Sequence, residues 1–180
     1  MKNLFSLCLA ILVFSPFALV EGKEWRGIMP LHSTRTDVER LLGPSKSKSP
    51  LSIYQTADEA VSVLYASGPP CGSDAGSEWK IPKDTVVSIT VSPKNRVYLA
   101  ELKIDLAKYE HFNDTHRPNI TTYLSRENGE RIQVFQGEVM SITYFAQTSD
   151  EDLRCAQARQ RKNSQNNTKQ WHRSEIRNKT

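Results

Sequence analysis

A short capped helix near the amino end is the feature that most limits how this chain can fold. Ser33 or Thr34 offers a side-chain oxygen to the first free N–H groups of a helix. One apolar stripe follows at i, i+3 and i+4, formed by Val38, Leu41 and Leu42. The Gly43-Pro44 pair then ends the helix. A helix of about two and a half turns is not stable alone, so its apolar stripe must pack on another element.

The rest of the chain favours β-strands. Alternating or β-branched runs predict strands at Leu51–Thr56, Val61–Ala66, Val86–Ser92, Ile120–Arg126, Glu130–Gln136 and Glu138–Ala146. Asn128-Gly129 predicts a type I′ hairpin turn, and Gln136-Gly137 a second tight turn. Residues 98–109 fit either a short helical turn or an extended docking segment, and residues 111–119 are typical of a loop. We therefore expect an α+β fold, in which the short N-terminal helix packs on an antiparallel sheet.

The chain divides into three parts. Lys2 followed by the apolar run Leu4–Val20 has the form of a secretory signal peptide, and we expect cleavage after Gly22. Cleavage after Val20 and an uncleaved anchor are the alternatives. Residues 23–156 form a single predicted domain, and residues 157–180 are predicted to be a disordered tail because they are polar and strongly charged.

Two cysteines, Cys71 and Cys155, remain once the signal peptide is removed. An exported chain meets an oxidising compartment, in which two cysteines usually pair, so we predict a disulfide between them. Two free thiols are the alternative. Nothing near either cysteine is arranged to stabilise a catalytic thiolate.

The net charge of +4 arises in the tail. Its basic residues are Arg159, Arg161, Lys162, Lys169, Arg173, Arg177 and Lys179, opposed by Glu175 alone. The predicted domain is close to neutral, so the sequence does not favour a basic folded surface for specific nucleic-acid binding. The tail is a candidate for contact with anionic surfaces, although many such tails are simply solvated.

The segment Thr34–Gly43, with the sequence TRTDVERLLG, resembles the helix signature of the SmpA/OmlA family of small envelope proteins, also called BamE. The wider stretch Trp25–Gly43 resembles the opening of uncharacterised secreted bacterial proteins. The resemblance implies helices packed on one antiparallel sheet, a layout also found in the β-lactamase inhibitory protein. It further implies a bacterial source and a place in the cell envelope.

Catalytic motifs are absent from the sequence. It contains no Gly-x-Ser-x-Gly nucleophile elbow, no P-loop and no Gly-x-Gly-x-x-Gly fingerprint. His111, Asp114 and His116 could ligate a metal, but a solvated loop is the simpler interpretation. We expect no enzymatic activity, cofactor or metal, and the alternative is a small-ligand-binding domain or a hydrolase whose site has no motif.

Aromatic residues are the best candidates for an interaction surface. The candidates are Trp25, Trp79, Tyr144 and Phe145. They either form an exposed patch that binds another protein or a cell-envelope component, or fill the core. The predicted function is therefore an exported binding module, located in the periplasm or outside the cell, of unassigned oligomeric state.

Overall fold

The computed structural model describes residues 23–46, 49–74, 76–115, 117–156, 158 and 160. The predicted signal peptide, residues 1–22, and nearly all of the predicted tail lie outside these residues, so both remain predictions. Within the described ranges, no helix is both long and apolar enough to cross a membrane.

Seven antiparallel strands form a single sheet. The elements are α1 (Arg35–Leu42), β1 (Leu51–Gln55), β2 (Glu59–Tyr65), β3 (Val86–Pro93), β4 (Glu110–Asn113), β5 (Ile120–Ser125), β6 (Glu130–Phe135) and β7 (Glu138–Phe145). Three short 3₁₀ helices lie at Leu99–Leu102, Leu106–Lys108 and Thr148–Leu153. The strand order is β1-β2-β3-β7-β6-β5-β4. Two meanders, β1 to β3 and β4 to β7, therefore meet where β3 pairs with β7.

One face of the sheet carries the main apolar packing, and we call it the covered face. Over the first meander, Trp25, Ile28 and Val38 pack on a cluster that includes Val61, Val63, Tyr65 and Ile89. Over the second meander, residues of the β3–β4 connection, among them Leu99 and Leu102, pack against Ile132, Val134 and Val139. Irregular segments, more than helix, therefore close this side of the core.

The expected fold class, a helix packed on a sheet as in BamE, is wrong. The protein is mostly a seven-stranded antiparallel sheet, and α1 is the one α-helix whose bounds lie within the described ranges, although Ala156, Ala158 and Gln160 are also helical. Val38 is the only buried residue of this eight-residue helix, while Leu41, expected on its apolar stripe, is 44% exposed. A helix of this length cannot form a layer over seven strands, so turns and short 3₁₀ helices do most of the covering.

Local capping of α1 follows the sequence closely. The Thr34 side chain accepts a hydrogen bond from the backbone N–H of Asp37, and the Asp37 carboxylate accepts one from the Thr34 N–H at 2.8 Å. Hydrogen bonds from the Thr34 backbone and side chain are the main reason that the pKa of Asp37 is lowered. Gly43, at φ +83°, follows the last turn.

The six predicted strands are all present, to within about two residues at each end. The turn at Asn128-Gly129 is not type I′: Ser125 pairs with Glu130, so four residues form the loop, and of the central pair only Gly129 has positive φ. Gln136 and Gly137 both have positive φ and join β6 to β7 in two residues, the pattern expected of type I′. The predicted loop at 111–119 is wrong over its first three residues, which belong to β4, a short edge strand that pairs with β5.

Candidate functional site

The side of the sheet opposite the covered face has no layer packed over its centre in the described ranges, and we call it the open face. Strand register places one row of side chains across all seven strands: Ile53, Ser62, Thr90, Thr143, Arg131, Leu124 and Glu110. Paired residues of neighbouring strands point to the same face, so these side chains lie side by side. Small polar residues occupy the middle of the row, and apolar residues lie toward its two ends.

Hydrogen bonds between side chains order the middle of the open face. The hydroxyl groups of Thr90 and Thr143 lie 3.1 Å apart across β3 and β7. Ser141 donates to the Gln133 side chain at 3.3 Å across β7 and β6. Thr143 and Ser141 are only 6% and 9% exposed, whereas Thr90 and Gln133 are partly exposed. The centre of the open face is therefore a lattice of hydroxyl and amide groups whose accessible members are Thr90 and Gln133.

Large apolar side chains are exposed near both margins of the open face. At the β1 margin, Ile53 is 61% and Leu51 50% exposed. At the β4 margin, Phe112 is 50% exposed. Charge on the central row is balanced, since Arg131 and Glu110 are its only charged members. A partner with both polar and apolar groups, and without a strong net charge, suits this surface.

A cleft of about 260 Å³ lies at one end of the open face. Its apolar lining includes Val87, Phe145 and Ala146, and its charged lining is Glu78, Arg126, Glu151 and Arg154. The Arg154 guanidinium stacks 4.0 Å above the Trp79 ring and donates to the Glu151 carboxylate at 2.9 Å. Both acids and both bases lie at the rim of one small space, so the cleft has no strong preference for either sign of charge.

The predicted disulfide between Cys71 and Cys155 is confirmed, with the two Cα atoms 5.6 Å apart. Backbone hydrogen bonds join the same two segments: Cys155 donates to Glu78 at 2.8 Å, and Lys80 donates to Leu153 at 2.7 Å. These links hold the Gly- and Pro-rich loop against the 3₁₀ helix that borders the cleft. A disulfide fits a protein that folds in an oxidising compartment.

The four candidate interaction aromatics are separated in the fold. Trp25, 6% exposed, and Trp79, 3% exposed, belong to two different buried clusters. Tyr144 is half-buried against the first of these clusters, on the covered face. Phe145 borders the cleft at the end of the open face. The structure therefore does not bring the four side chains into one patch.

A buried polar cluster lies on the covered face, at the point where the two meanders meet. Glu130 is 3% exposed. Its carboxylate accepts a hydrogen bond from the Tyr109 hydroxyl and lies 3.4 Å from the Lys23 amino group. Desolvation, followed by the charges of Glu130 and Glu59, raises the pKa of Tyr144 to about 12. The cluster lies beneath packed side chains, which suits a structural role.

In the part of the chain that the structure describes, no three His, Cys, Asp or Glu side chains are grouped to hold a metal ion. Of the candidate ligands, His111 stacks obliquely near Tyr123, with ring centroids 6.0 Å apart. Asp114 forms an ion pair with Arg117 at 2.9 Å. His116 lies outside the described residues.

The open face could not be found by searching the sequence for aromatic residues, because its centre is built from Ser, Thr and Gln. The sequence feature that could have indicated this face is the alternation of polar and apolar residues within the strands. In β3, Ser88, Thr90 and Ser92 alternate with buried residues. The polar side of each strand looks like an ordinary solvated face until the register is known.

The fold and this site define a disulfide-linked antiparallel sheet with one open face. No family model matches the chain, no curated protein matches its sequence, and no solved structure matches its fold. The resemblance of Thr34–Gly43 to the SmpA/OmlA helix signature stays a prediction.

Proposed function

We propose that this chain is an exported, non-enzymatic module that binds another protein through its open face. The observation that carries the proposal is the ordered hydroxyl and amide lattice, bordered by exposed apolar side chains, with no layer over it in the described ranges. Ile53, Leu51 and Phe112 each expose apolar area to water at the margins of this surface. Exposure of this kind is unfavourable unless a partner covers it.

The size of the open face supports a protein partner. Seven strands at ~4.8 Å spacing, each ~17–20 Å long, present roughly 600 Å². A standard protein interface buries about 800 Å² on each partner. Export to the periplasm or to the exterior belongs to the same proposal, and it is supported by the disulfide and by the form of residues 1–22.

The partner chemistry follows from the charge of this surface. Arg131 and Glu110 balance each other on the central row, which offers nothing to an anionic polymer or an acidic lipid surface. A polypeptide surface with mixed polar and apolar groups is the occupant that uses both the lattice and its margins.

Site-specific photocrosslinking tests the proposal. A photoreactive phenylalanine analogue replaces Thr90, at the centre of the open face, in the protein expressed in its own host. The matched control carries the analogue at Thr36, an exposed position on α1. We expect one defined protein adduct from position 90 and none from position 36, with excess purified wild-type protein abolishing it.

A second substitution shows whether the adduct depends on the open face. Excess Thr90→Arg protein with native circular dichroism should fail to compete, because Thr90 is partly exposed and the arginine projects from the centre of the open face, whereas excess Thr36→Arg protein should compete fully. Equal adducts from positions 90 and 36, or full competition by Thr90→Arg, would reject a binding role for the open face.

A second candidate function is small-ligand binding in the cleft bordered by Phe145 and Arg126, favoured by the volume of about 260 Å³. Arg126→Ala leaves the open-face lattice unchanged, so the two functions can be separated. If the cleft is the site, Arg126→Ala should lower the thermal shift produced by a bound metabolite fraction, while Thr90→Arg should not.

A further inference from the structure

The outer edge of β1 is short but has no charge, proline or bulge to prevent it from pairing. Residues 51–55 read LSIYQ, without a charge, a proline or an irregularity in their pairing. The opposite edge, β4, carries Glu110 within four residues. Natural proteins usually protect an edge strand with charge, proline or a bulge, because its unpaired N–H and C=O groups can accept another strand.

Hydrogen bonds at the two ends of the β1–β2 pair show which backbone groups are directed outward. Tyr65 donates to the carbonyl of Pro50 at 2.7 Å, and Thr56 donates to that of Glu59 at 2.9 Å. Hydrogen-bonded and non-hydrogen-bonded pairs alternate along an antiparallel ladder. The even-numbered residues of β1 therefore bond to β2, and the odd-numbered residues, with Ile53 at the centre, direct their N–H and C=O groups to the outer edge. Of these, the Leu51 N–H donates to the Ser49 hydroxyl at 3.4 Å, a long contact that pairing with another strand would replace.

We propose that a second copy of this chain pairs with β1, edge to edge and antiparallel, about a two-fold axis at Ile53. Ile53 then lies opposite Ile53 of the other copy, and Leu51 lies opposite Gln55. This register gives about six backbone hydrogen bonds and joins the two sheets. The inference does not rest on the proposed function, since it concerns the edge of the sheet and not the partner of its open face.

Self-complementarity is the reason for naming a second copy as the occupant. An antiparallel strand pair is two-fold symmetric, which is the symmetry of an isologous dimer. Exposed Leu51 and Ile53 of both copies share one face of the joined sheet, which removes apolar surface from water.

The expected dimer is concentration-dependent. A ladder of five residues is ~17 Å long and buries less than a standard interface, so dissociation constants on the order of 10–100 µM are expected. Sedimentation velocity of the mature chain should show the mass shifting from monomer to dimer across this range. A monomer at every concentration would overturn the proposal, and would leave a strand of a different protein as the occupant.

Two substitutions locate the interface. Ile53→Lys should abolish the dimer by placing two lysines opposite each other, and Ile53→Pro should abolish it by removing the outward N–H while sparing the β1–β2 ladder. Phe112→Lys on β4 is the matched control, because Phe112 is also half exposed on an edge strand. Loss of the dimer in Phe112→Lys, or its persistence in Ile53→Pro, would contradict pairing through β1.

Cysteine substitution tests the register and does not depend on destabilising the dimer. Residues opposite each other in this pair have Cα atoms about 5.5 Å apart, which a disulfide can bridge. Ile53→Cys should therefore form an intermolecular disulfide under mild oxidation. Gln55→Cys should not, because the two copies of position 55 are ~13 Å apart in this register. Faster crosslinking of Gln55→Cys than of Ile53→Cys would refute the two-fold axis at Ile53.

Discussion

At the scale of single residues, Glu130 is a buried charge whose stability depends on its hydrogen-bond and ion-pair partners. Its carboxylate is buried between two apolar clusters and depends on the Tyr109 hydroxyl and the Lys23 amino group for compensation. A buried charge that loses a partner is costly, since water cannot replace that partner. The burial that isolates Glu130 also raises the pKa of Tyr109, with the hydrogen bond to Glu130 as the second cause.

Tyr109→Phe should therefore lower the free energy of unfolding by about 1–3 kcal/mol, because it removes a hydrogen bond to a buried carboxylate. Urea denaturation followed by fluorescence measures the change. Tyr98→Phe is the control: Tyr98 is 45% exposed, and its loss of a hydroxyl should change stability by less than about 0.5 kcal/mol. Equal effects of the two substitutions would show that the Tyr109–Glu130 hydrogen bond contributes little.

Stability should also fall at alkaline pH. Burial raises the pKa of Tyr65 and Tyr109 above the ordinary value of 10.0, and that of Tyr144 to about 12. Because the folded protein favours the neutral phenols, this contribution is complete below pH 10 and is lost as the pH rises from 10 through the folded-state pKa values.

Tyr144→Phe isolates one part of this effect. Between pH 9 and 12 the variant should lose about 1–2 kcal/mol less stability than the wild type, after allowance for the partial exposure of Tyr144. Guanidinium denaturation at each pH gives the comparison. Parallel pH profiles for the two proteins would mean that Tyr144 ionises equally easily in the folded and unfolded chains.

At the scale of elements, the turns divide into those that require glycine for conformation and those that also require it for space. Gly129 has φ +63°, and a Cβ there would collide with the backbone oxygen of Phe145. Gly137 has φ +85°, and a Cβ there would meet nothing within 4 Å. Both glycines join strands of the second meander, so they form a matched pair.

Gly137→Ala should cost about 1–2 kcal/mol, the penalty of a left-handed conformation for a residue with a Cβ. Gly129→Ala should cost more, because the β5–β6 loop or the end of β7 must also move. Thermal unfolding of both variants in parallel provides the test, with native circular dichroism required of each. A smaller loss in Gly129→Ala would contradict the close approach to Phe145.

Elements determined by local chemistry could be predicted from the sequence, and those determined by distant partners could not. The Thr34 cap depends on residues within one turn, so it was predictable. The short strand β4 consists of four exposed residues, EHFN, without alternation, and it is a strand only because β5 lies beside it. The aromatic candidates failed to define a surface for the same reason: burial of Trp25 and Trp79 depends on segments far away in the chain.

At the scale of the whole molecule, the disulfide joins the two meanders covalently. It links the loop between β2 and β3 to the segment that follows β7, and both border the cleft. Its two cysteines are 84 residues apart, which corresponds to roughly 4 kcal/mol in the chain-entropy model. The pairing was predictable from cysteine number and predicted export. The incorrect fold class arose because the opening helix implied a helical layer, whereas the size of the sheet emerges only from the pairing of β3 with β7.

Replacing both cysteines by serine should lower the free energy of unfolding by about 2–5 kcal/mol. Urea denaturation of wild-type and Cys71→Ser/Cys155→Ser proteins measures the difference, and reduction of the wild type should reproduce it. Reduction adds two protons and two electrons, so the intact mass of the wild type should rise by two hydrogen atoms. Identical midpoints with and without the disulfide would show that it constrains a loop and contributes little to global stability.

The junction of β3 with β7 also determines the order in which the protein can fold. The two strands are separated by about 50 residues of chain, so their pairing is a slow, high-contact-order step. The first meander can form early, but one edge of β3, the most β-branched strand, stays unpaired until β7 joins it. Folding therefore passes through a stage in which this edge of β3 is open, and association of one chain with another through unpaired backbone is most favoured at that stage.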